Sequence, residues 1–248
     1  MIKLLQGDAI RLLRTMQPSC VDLVVADLPY GQTQNSWDKP LPFEPMWVEL
    51  RRVTKPAAAI CLMAAQPFAA RLVCSNEAEF RYDLIWYKNN ATGFLNANRQ
   101  PLRAHEHILI FYRAMPLYNP QKTNGHLPGH KARRATKSSN YGAYDQTDYG
   151  GSTERHPTSV LPIPIINNDS PNKEHPTQKP DALMEWLIAS YSAPGNVVLD
   201  ITAGSGTTGV AANKLNRHAI LFELNPDYIE IAKRRCGLAS QNIPRHTG

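Results

Sequence analysis

No apolar run in this chain approaches the roughly 20 residues that a membrane-spanning helix needs. Met1-Ile-Lys-Leu-Leu-Gln-Gly7 lacks the cationic start, long apolar stretch and small-residue cleavage site of a secretion signal, so an intracellular protein is expected. Cysteine is scarce: Cys20, Cys61, Cys74 and Cys236 are scattered and form no C-x-x-C pair, which reads as free thiols in a reducing compartment. His105, His107, His126 and His130 have no cysteine or acidic residue at zinc-finger spacing, and no metal site is expected. Acidic residues are in deficit, 21 against 27 lysines and arginines, leaving a net charge of +6 that leans toward a polyanionic partner. A hydrophobic content of 42% over 248 residues excludes wholesale disorder and allows one α/β domain with an insertion.

The most informative stretch is Asp200-Ile-Thr-Ala-Gly-Ser-Gly-Thr-Thr-Gly209. It follows the apolar Val197-Val-Leu199 and leads into Val210–Leu215, the pattern of a strand, a glycine turn and a helix. Such a turn brings backbone amides and a helix N-terminus close to a ligand. One strand later, Ala219-Ile-Leu-Phe222 ends in Glu223, whose carboxylate can accept hydrogen bonds from both hydroxyls of a ribose. The unit reads as an adenosine-cofactor site. Gly204-Ser-Gly-Thr-Thr-Gly209 also fits the G-x-G-x-x-G dinucleotide fingerprint, which keeps a nicotinamide-dependent oxidoreductase open at this point.

Strand and helix patterns alternate along the rest of the chain. Strands are expected near residues 2, 21, 57, 82, 107, 197 and 219, with helices over 9–16, 43–54, 67–74, 180–192, 207–215 and 226–236. This order predicts a Rossmann-like, doubly wound, seven-stranded sheet. From 114 to 174 the periodicity stops in favour of Gly, Pro, Ser, Asn, Tyr and basic residues. The expected division is therefore 1–113, an irregular insertion over 114–174, and 175–248. Asp27-Leu-Pro-Tyr30 ends the strand Val21–Ala26, at the strand edge where parallel sheets bind ligands.

Asp27-Leu-Pro-Tyr30, His175-Pro-Thr-Gln-Lys-Pro180 and Asp200-Ile-Thr-Ala-Gly-Ser-Gly-Thr-Thr208 together resemble the amino-methyltransferases that act on DNA with S-adenosylmethionine. Their order is similar to the beta-group arrangement, with the catalytic tetrapeptide first, a target-recognition insertion next and the cofactor half last. Gly7-Asp8, Trp86-Tyr-Lys88-Asn and Arg103-Ala-His-Glu-His107 support the match. The chain makes two departures from the family pattern: Leu28 replaces a proline, and Ile201-Thr202 replace proline and phenylalanine.

The resemblance implies a class I methyltransferase fold and assigns roles. Asp27 and the main-chain carbonyl of Leu28 would each accept one hydrogen of an exocyclic base amine, a poor nucleophile whose lone pair is delocalised into the ring. Pro29 and Tyr30 complete the tetrapeptide, with Tyr30 stacking on a base flipped out of the duplex. Asp200, Thr202, Thr208 and the amides around Ala203, Gly204, Ser205, Gly206 and Thr207 would hold the methionine end of the cofactor, with Asp27 beside it. Glu223 would take the ribose, Asp8 the adenine ring, and Thr177 and Lys179 the methionine carboxylate. Asp8 equally fits a helix N-cap.

Lys88 and Asn89 fall where the family contacts the flipped base or its backbone. Within the insertion, Lys131, Arg133, Arg134 and Lys137 would neutralise phosphates of double-stranded DNA, ahead of Tyr141, Tyr144 and Tyr149. A short reader of this kind suits a homodimer. Aspartate at the head of the tetrapeptide tilts the resemblance toward adenine N6; cytosine N4, a non-catalytic DNA-binding relative and the oxidoreductase are the alternatives. A cytoplasmic enzyme of bacterial or phage origin, orphan or restriction-linked, is the expectation.

Overall fold

The computed structural model describes residues 1–31, 38–128, 151–167, 173–174 and 178–238. In chain order the elements are β1 (Ile2–Gln6), α1 (Ala9–Thr15), β2 (Val21–Asp27), α2 (Phe43–Val53), β3 (Thr54–Ala64), α3 (Phe68–Cys74), β4 (Phe80–Thr92), β5 (Arg103–Phe111), β6 (Val160–Pro162), α4 (Asp181–Tyr191), β7 (Val197–Asp200), α5 (Thr207–Lys214), β8 (His218–Glu223) and α6 (Pro226–Arg235). The strands form one sheet in the order β1-β8-β7-β2-β3-β5-β4-β6. Among the described strands only β5 runs antiparallel to its neighbours. The carboxyl ends of β2, β4, β7 and β8 therefore share one edge with the start of β5.

Alternation along β2 explains the double winding. Leu23 and Val25 face one cluster with Leu183, Leu187 and Ile188 of α4 and Ala211 and Ala212 of α5. Val24 and Ala26 face the other, with Leu12 and Leu13 of α1, Leu50 of α2 and Phe68 and Leu72 of α3. A strand buried on both faces reads as a continuous apolar run, and Val21–Ala26 is one. The expected alternation holds, but among the described residues the sheet has eight strands rather than seven. The additional strand, β6, has three residues, of which only Leu161 is buried, and it joins the outer edge beside β4. Three residues are too few to carry a periodicity.

The chain divides into two compact units, Met1–Asn119 with Ser159–Gly248, and Pro120–Thr158. Within the smaller unit a bridge pairs Thr123 with Arg155, and Lys122 pairs with Glu154 at 2.9 Å. Among the described residues no helix is long and apolar enough to cross a membrane.

Candidate active site

The glycine turn after β7 is held by side chains from three other elements. Asp200, 3% exposed, accepts from the Thr202 amide at 3.0 Å and from the Thr208 hydroxyl at 2.5 Å. The amides of Ala203 and Gly204 reach across to β8, donating to the Phe222 carbonyl at 2.8 Å and to Glu223 Oε2 at 2.8 Å. Glu223 Oε1 accepts from the Asn225 amide at 2.7 Å. Gly206 caps α5 at φ +79°, and a Cβ there would lie 3.0 Å from Ala232 Cβ, so glycine alone fits. Arg235 of α6 clasps the turn from behind, donating to the Ser205 carbonyl and hydroxyl, the Thr207 hydroxyl and Asp181 at 2.8–3.0 Å.

Burial governs the charge of the acids here. Burial raises Asp200 to about 7 against the opposing pull of the Thr208 and Thr202 donors, with Asp27 and Glu223 adding repulsion. Glu223 is raised by burial as well, its backbone donors notwithstanding. An acid held among neutral donors, at the ends of two adjacent parallel strands, is suited to hydroxyl ligands such as a ribose.

Asp27 stands at the carboxyl end of β2, beside this turn. Its main-chain oxygen accepts from the Thr202 hydroxyl at 3.0 Å, which ties the two ends of β2 and β7 together. Its side chain accepts from the Tyr30 hydroxyl at 2.6 Å and is paired with Lys179 at 2.9 Å. Tyr30 lays its ring on Phe68, centroids 5.3 Å apart and planes inclined by 30°. Burial, then the neighbouring charges of Asp27 and Glu106, push its hydroxyl well above the ordinary range, so it stays protonated and donates. Leu28 is buried in the same cluster as Ile201, and Gly31 donates its amide to the buried Asp38 at 2.8 Å. The two departures from the family pattern are linked through the Thr202 hydroxyl, which bonds the carbonyl of the residue before Leu28.

Lys179 continues the network. It lies 3.1 Å from Glu106, whose other oxygen pairs with Lys88. Asp27, Glu106, Lys179 and Lys88 form a chain of two carboxylates and two ammonium groups, whose charges cancel. Both lysines sit over the Trp86 ring, at 5.0 Å for Lys88 and 5.6 Å for Lys179, in cation–π range. Trp86 in turn donates its indole N–H to the Ile163 carbonyl at 2.7 Å. Burial opposes the charge of Glu106, yet Lys179 and Lys88 outweigh it and hold the carboxyl at about 2. Burial would lower Lys179, but Asp27 and Glu106 raise it instead.

The structure therefore gathers Asp27, Leu28, Tyr30, Lys88, Lys179, Asp200, Thr202, Glu223 and the glycine turn at one sheet edge. Lys179 faces Asp27 and Glu106, and Lys88 is 6% exposed with its ammonium on Glu106 rather than on the outer surface. Asn89 accepts from the Ile165 amide at 2.9 Å. Asp8 caps α1, accepting from the Arg11 amide at 2.9 Å, while the preceding Gly7 amide bonds the Glu223 carbonyl at 3.0 Å. Thr177, Lys131, Arg133, Arg134, Lys137 and the three tyrosines after them lie outside the described residues. Sequence reasoning gave no role to Glu106, Phe68 or Arg235. Glu106 alone carried a signal, a charge within Arg103-Ala-His-Glu-His107, just ahead of the apolar run Ile108–Phe111 of β5.

An eight-stranded, doubly wound sheet with an acid-backed glycine turn and a carboxylate at the next strand end defines a class I methyltransferase architecture. The family model described as DNA methylase, covering the N6 and N4 amino-methyltransferases, matches residues 21–234, from β2 to α6. The chain belongs to this family, whose methyl donor is S-adenosylmethionine. Type II methyltransferase M.HpaI of Haemophilus parainfluenzae is 29% identical over 94% of this chain and 73% of its own length. DNA adenine methyltransferase YhdJ of Escherichia coli is 27% identical over 96% and 83%. Two solved structures share the fold. M1.HpyAVI in complex with SAM has a TM-score of 0.63 at 21% identity, covering 95% of this chain and 98% of that one. The cytosine-N4-specific PvuII methyltransferase has a TM-score of 0.68 at 18% identity, covering 94% and 86%.

Proposed function

We propose that this methyltransferase modifies the exocyclic N6 amine of adenine at a specific sequence in double-stranded DNA, after the base is flipped out of the helix. The observation that carries the reading is Asp27 at the end of β2, its backbone clamped to the glycine turn through Thr202 and its carboxylate held by Tyr30 and Lys179. The relative named as an adenine methyltransferase supports adenine, as does aspartate at the head of the tetrapeptide.

The residues fit the cofactor. Glu223 can accept the ribose hydroxyls with the lone pairs left over from the Gly204 and Asn225 amides, and Asp8 lies next to Gly7, which is bonded to the same residue. When bound, S-adenosylmethionine supplies an electrophilic methyl group on a sulfonium. The chain's own part is positioning and charge placement. Asp27 accepts one amine hydrogen and the Leu28 carbonyl the other, directing the nitrogen lone pair, and Asp27 takes the proton that the methylated amine sheds. Tyr30, backed by Phe68, offers an aromatic face to the base. Lys131, Arg133, Arg134 and Lys137 neutralise phosphates, two protomers share one site, and the enzyme works in the cytoplasm of a bacterium or a phage-infected cell.

The test is transfer of labelled methyl to unmethylated DNA, followed by nucleoside analysis. Methyladenine is expected. Methylcytosine would move the enzyme to the N4 branch, and no label in either base, with salt-sensitive DNA binding intact, would favour a non-catalytic relative.

A further inference from the structure

The pairing of β4 with β5 opens beside the active site. Tyr87 pairs with His105, but the next partners are Thr92 and Arg103, so four residues, 88–91, stand against one, 104. An insertion of this size bends the strand away from its partner. Beyond Thr92 the chain orders itself. Gly93, at φ +93°, opens a 3-10 turn over Phe94–Asn96. The amides of Asn96, Ala97, Arg99 and Gln100 donate back to the carbonyls of Gly93, Phe94 and Asn96 at 2.8–3.1 Å.

On this ordered turn the two largest apolar side chains point outward. Leu95 is 99% exposed and Phe94 80% exposed. Single exposed apolar residues are ordinary, but two adjacent bulky ones on a backbone-ordered loop suit a contact. The surrounding chemistry selects the partner. Between Asp83 and Glu106 no acidic residue occurs, while Arg99, Arg103, four asparagines and Gln100 do. At about 3.3 Å per extended residue, Gly93 lies at most about 17 Å along the chain from Lys88, a few base-pair rises from the catalytic carboxylate's network.

We infer that Phe94 and Leu95 form an apolar wedge that enters the base stack at the target site and holds the space vacated by the flipped base. The inference rests on the proposed DNA methylation. A wedge of Phe or Leu partly unstacks a base step and supports the extrahelical base, at a cost its burial offsets. The flanking asparagines and arginines meet base edges and phosphates on either side.

The test uses the full chain and two duplexes carrying the site mapped by sequencing methylated plasmid DNA. In one the target base is paired; in the other it faces an abasic position and is already unstacked. The double variant Phe94→Ala with Leu95→Ala is expected to lose about tenfold or more in kcat/KM on the paired duplex and to stay within about twofold on the abasic one. The fluorescence rise of 2-aminopurine at the target should shrink in parallel, on the paired duplex alone. Equal losses on both duplexes, or none on the paired one, would overturn the wedge. So would a change of oligomeric state in gel filtration, which would assign the two side chains to a second copy. If the wild type methylates neither duplex, it is the methylase reading that fails first.

Discussion

Buried acids on the two sides of β2 behave in opposite ways. On the cofactor side, Asp200 and Glu223 are surrounded by amides and hydroxyls, and burial raises both, Asp200 to about 7. On the catalytic side, Glu106 is equally enclosed but sits between Lys179 and Lys88, which hold it at about 2. The difference lies in the partner. Neutral donors only partly replace water around a carboxylate, whereas a cation at contact distance more than replaces it. The half proposed to grip a cationic, hydroxyl-bearing cofactor keeps its acids short of full stabilisation. The half that carries Glu106 surrounds that carboxylate with fixed cations instead.

The largest effect should come from the end of that charge chain. Asp27→Ala should lower turnover by about a thousandfold, since it removes the acceptor for the amine's hydrogen, while binding of S-adenosylmethionine changes little. Methyl-transfer rates beside calorimetric cofactor binding check this; a similar loss in both would put Asp27 on the cofactor side of the comparison. Next comes stability. Glu106→Gln leaves two buried ammonium groups against one carboxylate, and should cost about 3–5 kcal/mol, about 10 °C in Tm. Glu223→Gln strands no charge and misplaces one neutral hydrogen bond, so about 1 kcal/mol is expected, with a loss of cofactor affinity instead. Equal Tm losses in the two variants would erase the contrast.

The halves also differed in how much the sequence disclosed. The glycine turn, Glu223 and the doubly wound sheet were legible because each is a local pattern: an apolar run, a Gly spacing, a strand-end acid. The charge chain was not. Lys179 and Glu106 lie 73 positions apart, and only the sheet order, with β5 inserted antiparallel between β3 and β4, brings them together. The motifs of Lys179 and Lys88 point to ligands, and Arg103-Ala-His-Glu-His107, which holds their mutual partner Glu106, carries no sign of an ion pair with either. β6 escaped because a three-residue edge strand has no period to detect.

The pH dependence follows the same division. The folded value of Glu106, about 2, is below its ordinary 4.5, so its stabilisation is complete above 4.5 and is lost as pH falls toward 2. The folded value of Asp200, about 7, is above its ordinary 3.8, so its contribution is complete below 3.8 and is lost as pH rises through 7. Denaturant midpoints measured from pH 4 to 8 should decline less steeply in Asp200→Asn than in the wild type. An unchanged slope would mean that the Thr208 and Thr202 donors keep Asp200 ionised throughout.

The smallest effect tests the seam between the halves. Thr202 and Leu28 belong to the two departures from the family pattern read in the sequence, and the Thr202 hydroxyl holds the carbonyl of Asp27, the residue before Leu28. Thr202→Val keeps the shape and removes the donor, at a net cost of about 0.5–1.5 kcal/mol, so kcat should fall about two- to tenfold while the KM for cofactor is unchanged. Thr202→Ser, which restores a hydroxyl, should recover most of the rate. Leu28→Pro should make the clamp redundant, because proline fixes its own φ and favours the extended backbone that Asp27 already has at the end of β2. Adding Thr202→Val to Leu28→Pro should then cost less than it does in the wild type. Additive losses in that double-mutant cycle would mean that the hydroxyl acts on the cofactor side alone, and that the two departures are independent.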